Sequence, residues 1–217
     1  MKKIVLLAIM AVMSLTSQAQ IVSSRSSMVT REEAPKNGWS TFGFEYLPST
    51  WKYSHDGYST SDSYSAAAVV WTKATALSNS APVFLEYGLG GQYSWKSKDD
   101  ILTKMVSAKI PLNLIYSYQI PNTEISIDPY IGLNFRFNIW GEIKQDWDGG
   151  QTANVFDKDD MGDSDNTWNR FQLGWHIGAK AKFSNSFFVG VAYGTDFSEI
   201  TKYTHIEETT LTLGFVF

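Results

Sequence analysis

The sequence predicts an all-β protein, an eight-stranded antiparallel up-and-down transmembrane β-barrel. Three observations carry that prediction. Large apolar side chains recur at every second position over several long segments, which is the signature of a strand whose two faces meet different surroundings. The chain combines 15% aromatic residues with 16 Gly and shows no helical period, a composition that favours sheet. Past the N-terminus no apolar run reaches the ~20 residues that a membrane helix needs, so a membrane-spanning form has to be a closed barrel.

The N-terminal residues read as a targeting segment. Lys2 and Lys3 precede the unbroken apolar run Ile4 to Met13, and Ser17-Gln18-Ala19 places small residues at −3 and −1 of a cleavage point. Residues 1–19 are therefore expected to be a secretory signal peptide, 20–37 a flexible periplasmic leader, and 38–217 the barrel domain. Losing the signal removes two lysines and no acid. That leaves 16 basic against 22 acidic residues, a mature charge of about −6. An acidic chain without a basic block argues against a nucleic-acid partner. There are no cysteines, hence no disulfides and no lipoprotein anchor.

The strands follow in order. The first, near 38–47, sets Phe42, Phe44 and Tyr46 against Thr41, Gly43 and Glu45; a long polar loop is expected over 48–64. The second, near 65–77, is rich in Ala and ambiguous in phase. The third, 82–95, sets Val83, Leu85, Tyr87, Leu89, Tyr93 and Trp95 against Phe84, Glu86, Gly88, Gly90 and Gln92. A short charged loop, 96–100, leads to the fourth, near 102–119. The fifth, 124–140, carries Ile125, Ile127, Ile131, Leu133, Phe135, Phe137 and Ile139 on one face, broken only by Pro129. A loop over 141–167 follows, with eight acids and two lysines. The sixth, near 168–183, the seventh, 187–197, and the eighth, 205–217, repeat the alternation.

Connections after the second, fourth and sixth strands read as tight turns, at Ser78-Asn79-Ser80, Pro121-Asn122 and Ser184-Asn185-Ser186. The others are longer, as expected of an outer-membrane barrel. An eight-stranded lumen holds few large side chains, whereas each strand offers about five to seven apolar ones. The apolar face is therefore expected to meet lipid. Pro111 and Pro129 should sit at bulges or where the ladder needs no N–H. Trp39, Trp95, Trp140, Trp168 and Tyr193 fall near strand ends and suit interfacial girdles.

With these features in hand, the chain resembles the small bacterial outer-membrane β-barrel family, OmpA/OmpX-like. The resemblance covers 38–217 as a pattern. It is most specific at the ending Thr212-Leu213-Gly214-Phe215-Val216-Phe217, whose final aromatic resembles a barrel-assembly signal. Pro82–Tyr93, Tyr130–Asn138 and Asp157–Gly162 also resemble one branch of that family. The resemblance implies the outer membrane of a Gram-negative-type bacterium. It also implies contact with outer-membrane lipid and lipopolysaccharide, engagement of the assembly machinery through Phe217, and a monomer.

The candidate site is a lumen charge network of Glu45, Glu86, Lys109, Asp128, Arg136, Arg170, Lys180 and Asp196, acids and bases sharing levels as a salt-bridged plug. Asp128 and Arg136 should each pair with other strands. His55, His176 and His205 lie apart, so neither a nucleophile–base pair nor metal spacing is expected. The acidic run 157–165 invites a calcium reading through Asp157, Asp159 and Asp163. The EF-hand spacing fails, however, because Met161 and Trp168 stand where Asp/Asn and Glu are needed. No cofactor is expected. The expected role is structural or surface interaction; the alternatives are a narrow pore or small-hydrophobe conduit, and a lipid-modifying enzyme.

Overall fold

In a computed structural model, the described residues are 38–78, 81–145, 150–183 and 186–217. The signal peptide, the leader, and parts of the turns expected at 78–80 and 184–186 lie outside them. The strands are β1 (Trp39–Tyr46), β2 (Ser49–His55), β3 (Tyr58–Ala76), β4 (Val83–Lys98), β5 (Ile101–Tyr116), β6 (Tyr118–Gln119), β7 (Ile125–Gln145), β8 (Gln151–Asn154), β9 (Phe171–Phe183), β10 (Phe187–Asp196) and β11 (Thr204–Val216). Among the described residues one short helix, α1 (Lys158–Met161), lies between β8 and β9.

All pairings are antiparallel, and they close on themselves. β1 and β2 form one strand, interrupted at Leu47-Pro48, that pairs with β3 on one side and β11 on the other. From β3 the ring continues through β4, β5 with β6, β7, β9, β10 and β11. Two backbone hydrogen bonds between Ser40 and Phe217, at 2.8 and 2.9 Å, finish the seam where the strands begin and end. The result is an eight-stranded up-and-down barrel. Both β1 and β11 have one end here, called the terminal end; the opposite end is the loop end.

The outer surface carries the apolar face. Phe44, Leu89, Ile131, Val191 and Leu213 are each exposed, while their strand neighbours Glu86, Asp128, Arg136 and Gln172 are buried inside. Large apolar residues outside and charges inside invert the soluble pattern, and only a lipid surround makes that arrangement stable. The ambiguous second strand resolves here. Ala66, Ala68, Val70, Thr72 and Ala74 face inward, and Val69 and Trp71 face out. Small inward residues on β3 leave lumen volume for the long charged side chains of other strands.

Several strands run on beyond this belt, and there the polarity reverses. Tyr46, Ala67, Tyr93, Val106 and Trp140 form one row across neighbouring strands. The next outward row toward the loop end is Ser65, Trp95, Lys104 and Glu142. Above it the outside is polar and the inside apolar. The stretch 48–64, expected as a loop, is therefore a hairpin of β2 with the start of β3. Its turn is Asp56-Gly57, with φ of 47° and 79°, a left-handed pair that suits a two-residue hairpin. Its Trp51 and Tyr64 point inward among Ser and Thr that point out, too sparse an apolar period to read as a strand. The loop expected at 96–100 shrinks to another two-residue turn, Asp99-Asp100, with φ of 51° and 60°. The start of the loop expected at 141–167 continues β7, folds back as β8 on residues 142–145, and then forms α1.

A β-bulge makes the change of phase in β7. Ser107 pairs with Asn138 and Val106 with Trp140, so Ile139 is the extra residue. Ile139 and Trp140 both face out, and Ile143 turns inward. Neither proline sits at a bulge. The β4–β5 register lapses at Ile110 and Pro111, between Lys109 and Leu112. The β5–β7 register ends at Tyr130, so Pro129 faces the break between β5 and β6. Both prolines thus occupy positions where the missing N–H has no ladder partner.

Candidate functional site

The lumen is built in layers. Nearest the terminal end, Phe84, Ile115 and Ala74 are buried together, with Trp39 against Phe84 at 4.5 Å between ring centroids. Trp39 therefore faces the lumen instead of a membrane interface. Lys182 Nζ lies 3.2 Å from the centre of that indole ring and 2.9 Å from Asp128 Oδ2. Asp128 Oδ1 also accepts from Ser117 Oγ at 2.6 Å.

The next layer centres on Glu86, which is fully buried. Lys180 Nζ donates to both its oxygens at 2.7 Å, Asn113 Nδ2 to Oε1 at 2.8 Å, and Thr72 Oγ1 to Oε2 at 2.9 Å. A carboxylate with four donated hydrogen bonds from three strands is stable without water. Asn113 Oδ1 lies 2.6 Å from His176 Nε2. Close backbone approach matters here: a Cβ on Gly132 would meet Asn113 Oδ1 at 2.0 Å. Above Glu86 lies a lumen cavity of about 40 Å³, bordered by Lys109, Tyr130 and His176, room for no more than a few waters.

Toward the loop end, five charges alternate in sign across the barrel. Glu45 accepts from Lys109 at 2.7 Å; Lys109 Nζ lies 4.0 Å from Glu208; Glu208 accepts from Arg136 at 3.3 Å; Arg136 pairs with Asp196 at 2.5 Å. Gln172 Oε1 accepts from Arg136 Nε at 3.1 Å. These residues come from β1, β5, β11, β7, β10 and β9, so the chain of contacts ties most of the ring together.

An apolar cap closes the loop end. Trp51, Met105, Val155, Trp168, Ile200 and Ile206 are buried together, with Tyr64, Ile143, Phe156 and Met161 packed against them. Trp51 stacks on Tyr64 at 4.0 Å and meets Trp168 edge-on at 4.8 Å. Trp168 is thus a core residue of the cap and not part of a girdle. Burial, with the charge of Asp62 adding to it, pushes the Tyr64 hydroxyl up to about 12.

Seven of the eight expected network residues meet inside the lumen: Glu45, Glu86, Lys109, Asp128, Arg136, Lys180 and Asp196. Arg170 does not. It precedes β9, is exposed, donates to the carbonyls of Asn138 and Ile139, and lies 4.4 Å from the Phe156 ring centre. The alternation that placed it inward begins only at Phe171. Lys182 and Glu208 are members the sequence reading missed. Lys182 shares the even phase of Lys180 on β9 and was legible. Glu208 sits where β11 changes polarity, beside Glu207 that faces out to Lys52 at 2.5 Å, so its side was not.

The acidic loop uses its carboxylates on its own backbone. Asp157 caps α1 by accepting from Asp159 N. Asp160 accepts from Asn154 N at 2.8 Å, and Asp163 from Asp165 N at 3.3 Å. That last contact holds the Asp163 carboxyl below its ordinary range. Among the described residues no three His, Cys, Asp or Glu side chains are grouped to hold a metal, and Asp157, Asp159 and Asp163 form no such set. The histidines stay apart. His55 stacks on Tyr203 at 3.9 Å, and His205 lies 3.7 Å from Glu199.

No family model and no curated protein matches the chain. Solved structures similar to it include Ail, the attachment invasion locus protein of Yersinia pestis, with sucrose octasulfate, at 11% identity and a TM-score of 0.46 over 83% of this chain and 99% of that one. Neisserial surface protein A matches at 11% and 0.47 over 82% and 97%. The outer-membrane enzyme PagL matches at 14% and 0.46 over 80% and 97%. By its closed ring of strands, its apolar outer belt and its ion-paired lumen, this chain is an eight-stranded up-and-down β-barrel whose outer surface suits a lipid bilayer.

Proposed function

We propose that the barrel is a closed, non-enzymatic scaffold that holds a rigid interaction surface at its loop end. The observation that carries this reading is the filling of the lumen. An apolar floor, two ion-paired layers and an apolar cap follow one another, and the cavity between the layers is about 40 Å³. A conducting path would need continuous water through all four. At the loop end the β2–β3 and β4–β5 hairpins are strand-paired up to their turns. The chain faces lipid and lipopolysaccharide with its belt, works as a monomer, and presents the loop end outward with the turns at the terminal end in the periplasm.

The test is ion conductance in planar bilayers, with the purified protein inserted. No steps above the bare bilayer are expected. Reproducible steps that disappear on changing Arg136 or Lys109 would overturn the reading in favour of a gated pore.

A further inference from the structure

The loop end carries a pocket that the closed-scaffold reading leaves unused. Its volume is about 390 Å³, and it opens to solvent beside the cap, a size in the range of small-molecule sites. The floor is apolar: Ile143, Met161 and Trp168 bring the edge of the cap cluster to it. The rim is polar: Gln145, Asp160, Asn166 and Thr201.

The rim groups differ in how far they are already engaged. Thr201 Oγ1 donates to the Asp165 carbonyl at 2.8 Å. Asp160 accepts one backbone hydrogen bond through Oδ2, which leaves its other oxygen for a ligand. The side-chain amides of Gln145 and Asn166 make no hydrogen bond among the described residues. Charge sets the sign of what fits. Residues 150–170 hold five aspartates against Lys158 and Arg170. Arg170 keeps its charge while donating to two carbonyls, and the neighbouring Lys202 is balanced by Asp165, so the aspartates still exceed these three cations by two. The field over the pocket is therefore negative.

We infer that this pocket binds a small amphipathic organic cation, with its apolar body on Trp168, Met161 and Ile143 and its ammonium at Asp160. An indole beneath and a carboxylate at the rim favour an ammonium over a carboxylate on the same apolar body. The inference rests on the reading of the loop end as an interaction surface but is independent of whether the lumen conducts.

The experiment uses the full barrel in lipid nanodiscs, which avoids detergent in the pocket. The probes are 2-phenylethylammonium, neutral 2-phenylethanol and anionic 3-phenylpropionate, followed by Trp fluorescence and by calorimetry. Saturable binding of the cation at least tenfold tighter than the anion is expected. Asp160→Asn keeps an oxygen for Asn154 N and should remove most of that preference. Ala153 also lines the pocket, and Ala153→Phe should fill it and abolish binding of all three, with the heat-modifiable gel shift of the folded barrel unchanged. Equal affinity for the three probes, or cation binding that survives both substitutions, overturns the inference. Conductance measured on the same preparation separates its failure from failure of the closed-scaffold reading.

Discussion

Glu86 shows how a buried charge is made tolerable in this lumen. Its two oxygens take four hydrogen bonds, two of them from Lys180. Removing the cation alone should strand the carboxylate. Lys180→Met is expected to cost about 3–5 kcal/mol, read from urea unfolding in lipid vesicles. Adding Glu86→Leu should recover most of that loss, because the double variant leaves no unpaired charge. If the double variant were as unstable as the single one, the pair would not be the unit of stabilisation. At this scale the sequence reading succeeded where a residue sat well inside a strand, as with Glu86 and Lys180. It failed at strand ends, as with Arg170 and Glu208, because one residue of phase decides between lumen and surface.

Among elements, β7 is the most informative. Its bulge at Ile139 absorbs one residue, so the strand can satisfy lipid below and an apolar cap above. Deleting Ile139 should heal the bulge and leave Arg136 and Ile143 facing inward, with folding measured by gel mobility essentially unchanged. Deleting Phe135 should instead turn Arg136 or its neighbours to lipid, and the folded band should be lost. Equal behaviour of the two deletions would refute the assigned register. The cap has its own pH dependence. Since folding raises the Tyr64 hydroxyl to about 12 from an ordinary value near 10, the folded form holds its proton more tightly. That contribution is present below pH 10 and is lost as pH climbs from about 10 to 12. Protease cleavage at the loop end should rise over that window, and Tyr64→Phe should remove the rise.

For the whole molecule, the apolar belt and its aromatic rims set the solvent. Tyr46, Tyr93, Trp140 and Tyr193 are exposed toward the loop end; Tyr116, Tyr118, Phe187 and Phe217 are exposed toward the terminal end. Phe217 is 69% exposed, and its backbone holds the seam. Phe217→Ala should therefore change the stability of the refolded barrel by less than about 1 kcal/mol. If Phe217 is read by the assembly machinery, the same change should sharply lower the amount inserted in cells. A large loss of refolded stability with normal insertion would reverse that assignment.

The eight-strand count, the lipid-facing side and most lumen charges were determined by the sequence itself, because a period of two repeated over long segments admits few other arrangements. Tertiary structure alone decided three things. It showed that 48–64 and the start of 141–167 extend the strands, since a polar outward face with a few inward aromatics has no readable period. It showed the cap, whose Trp51, Met105, Trp168 and Ile200 come from distant segments and share no local pattern. And it decided which charges meet, because pairs such as Glu86 with Lys180 depend on how the closed ring brings β4 opposite β9, a geometry that no single strand encodes.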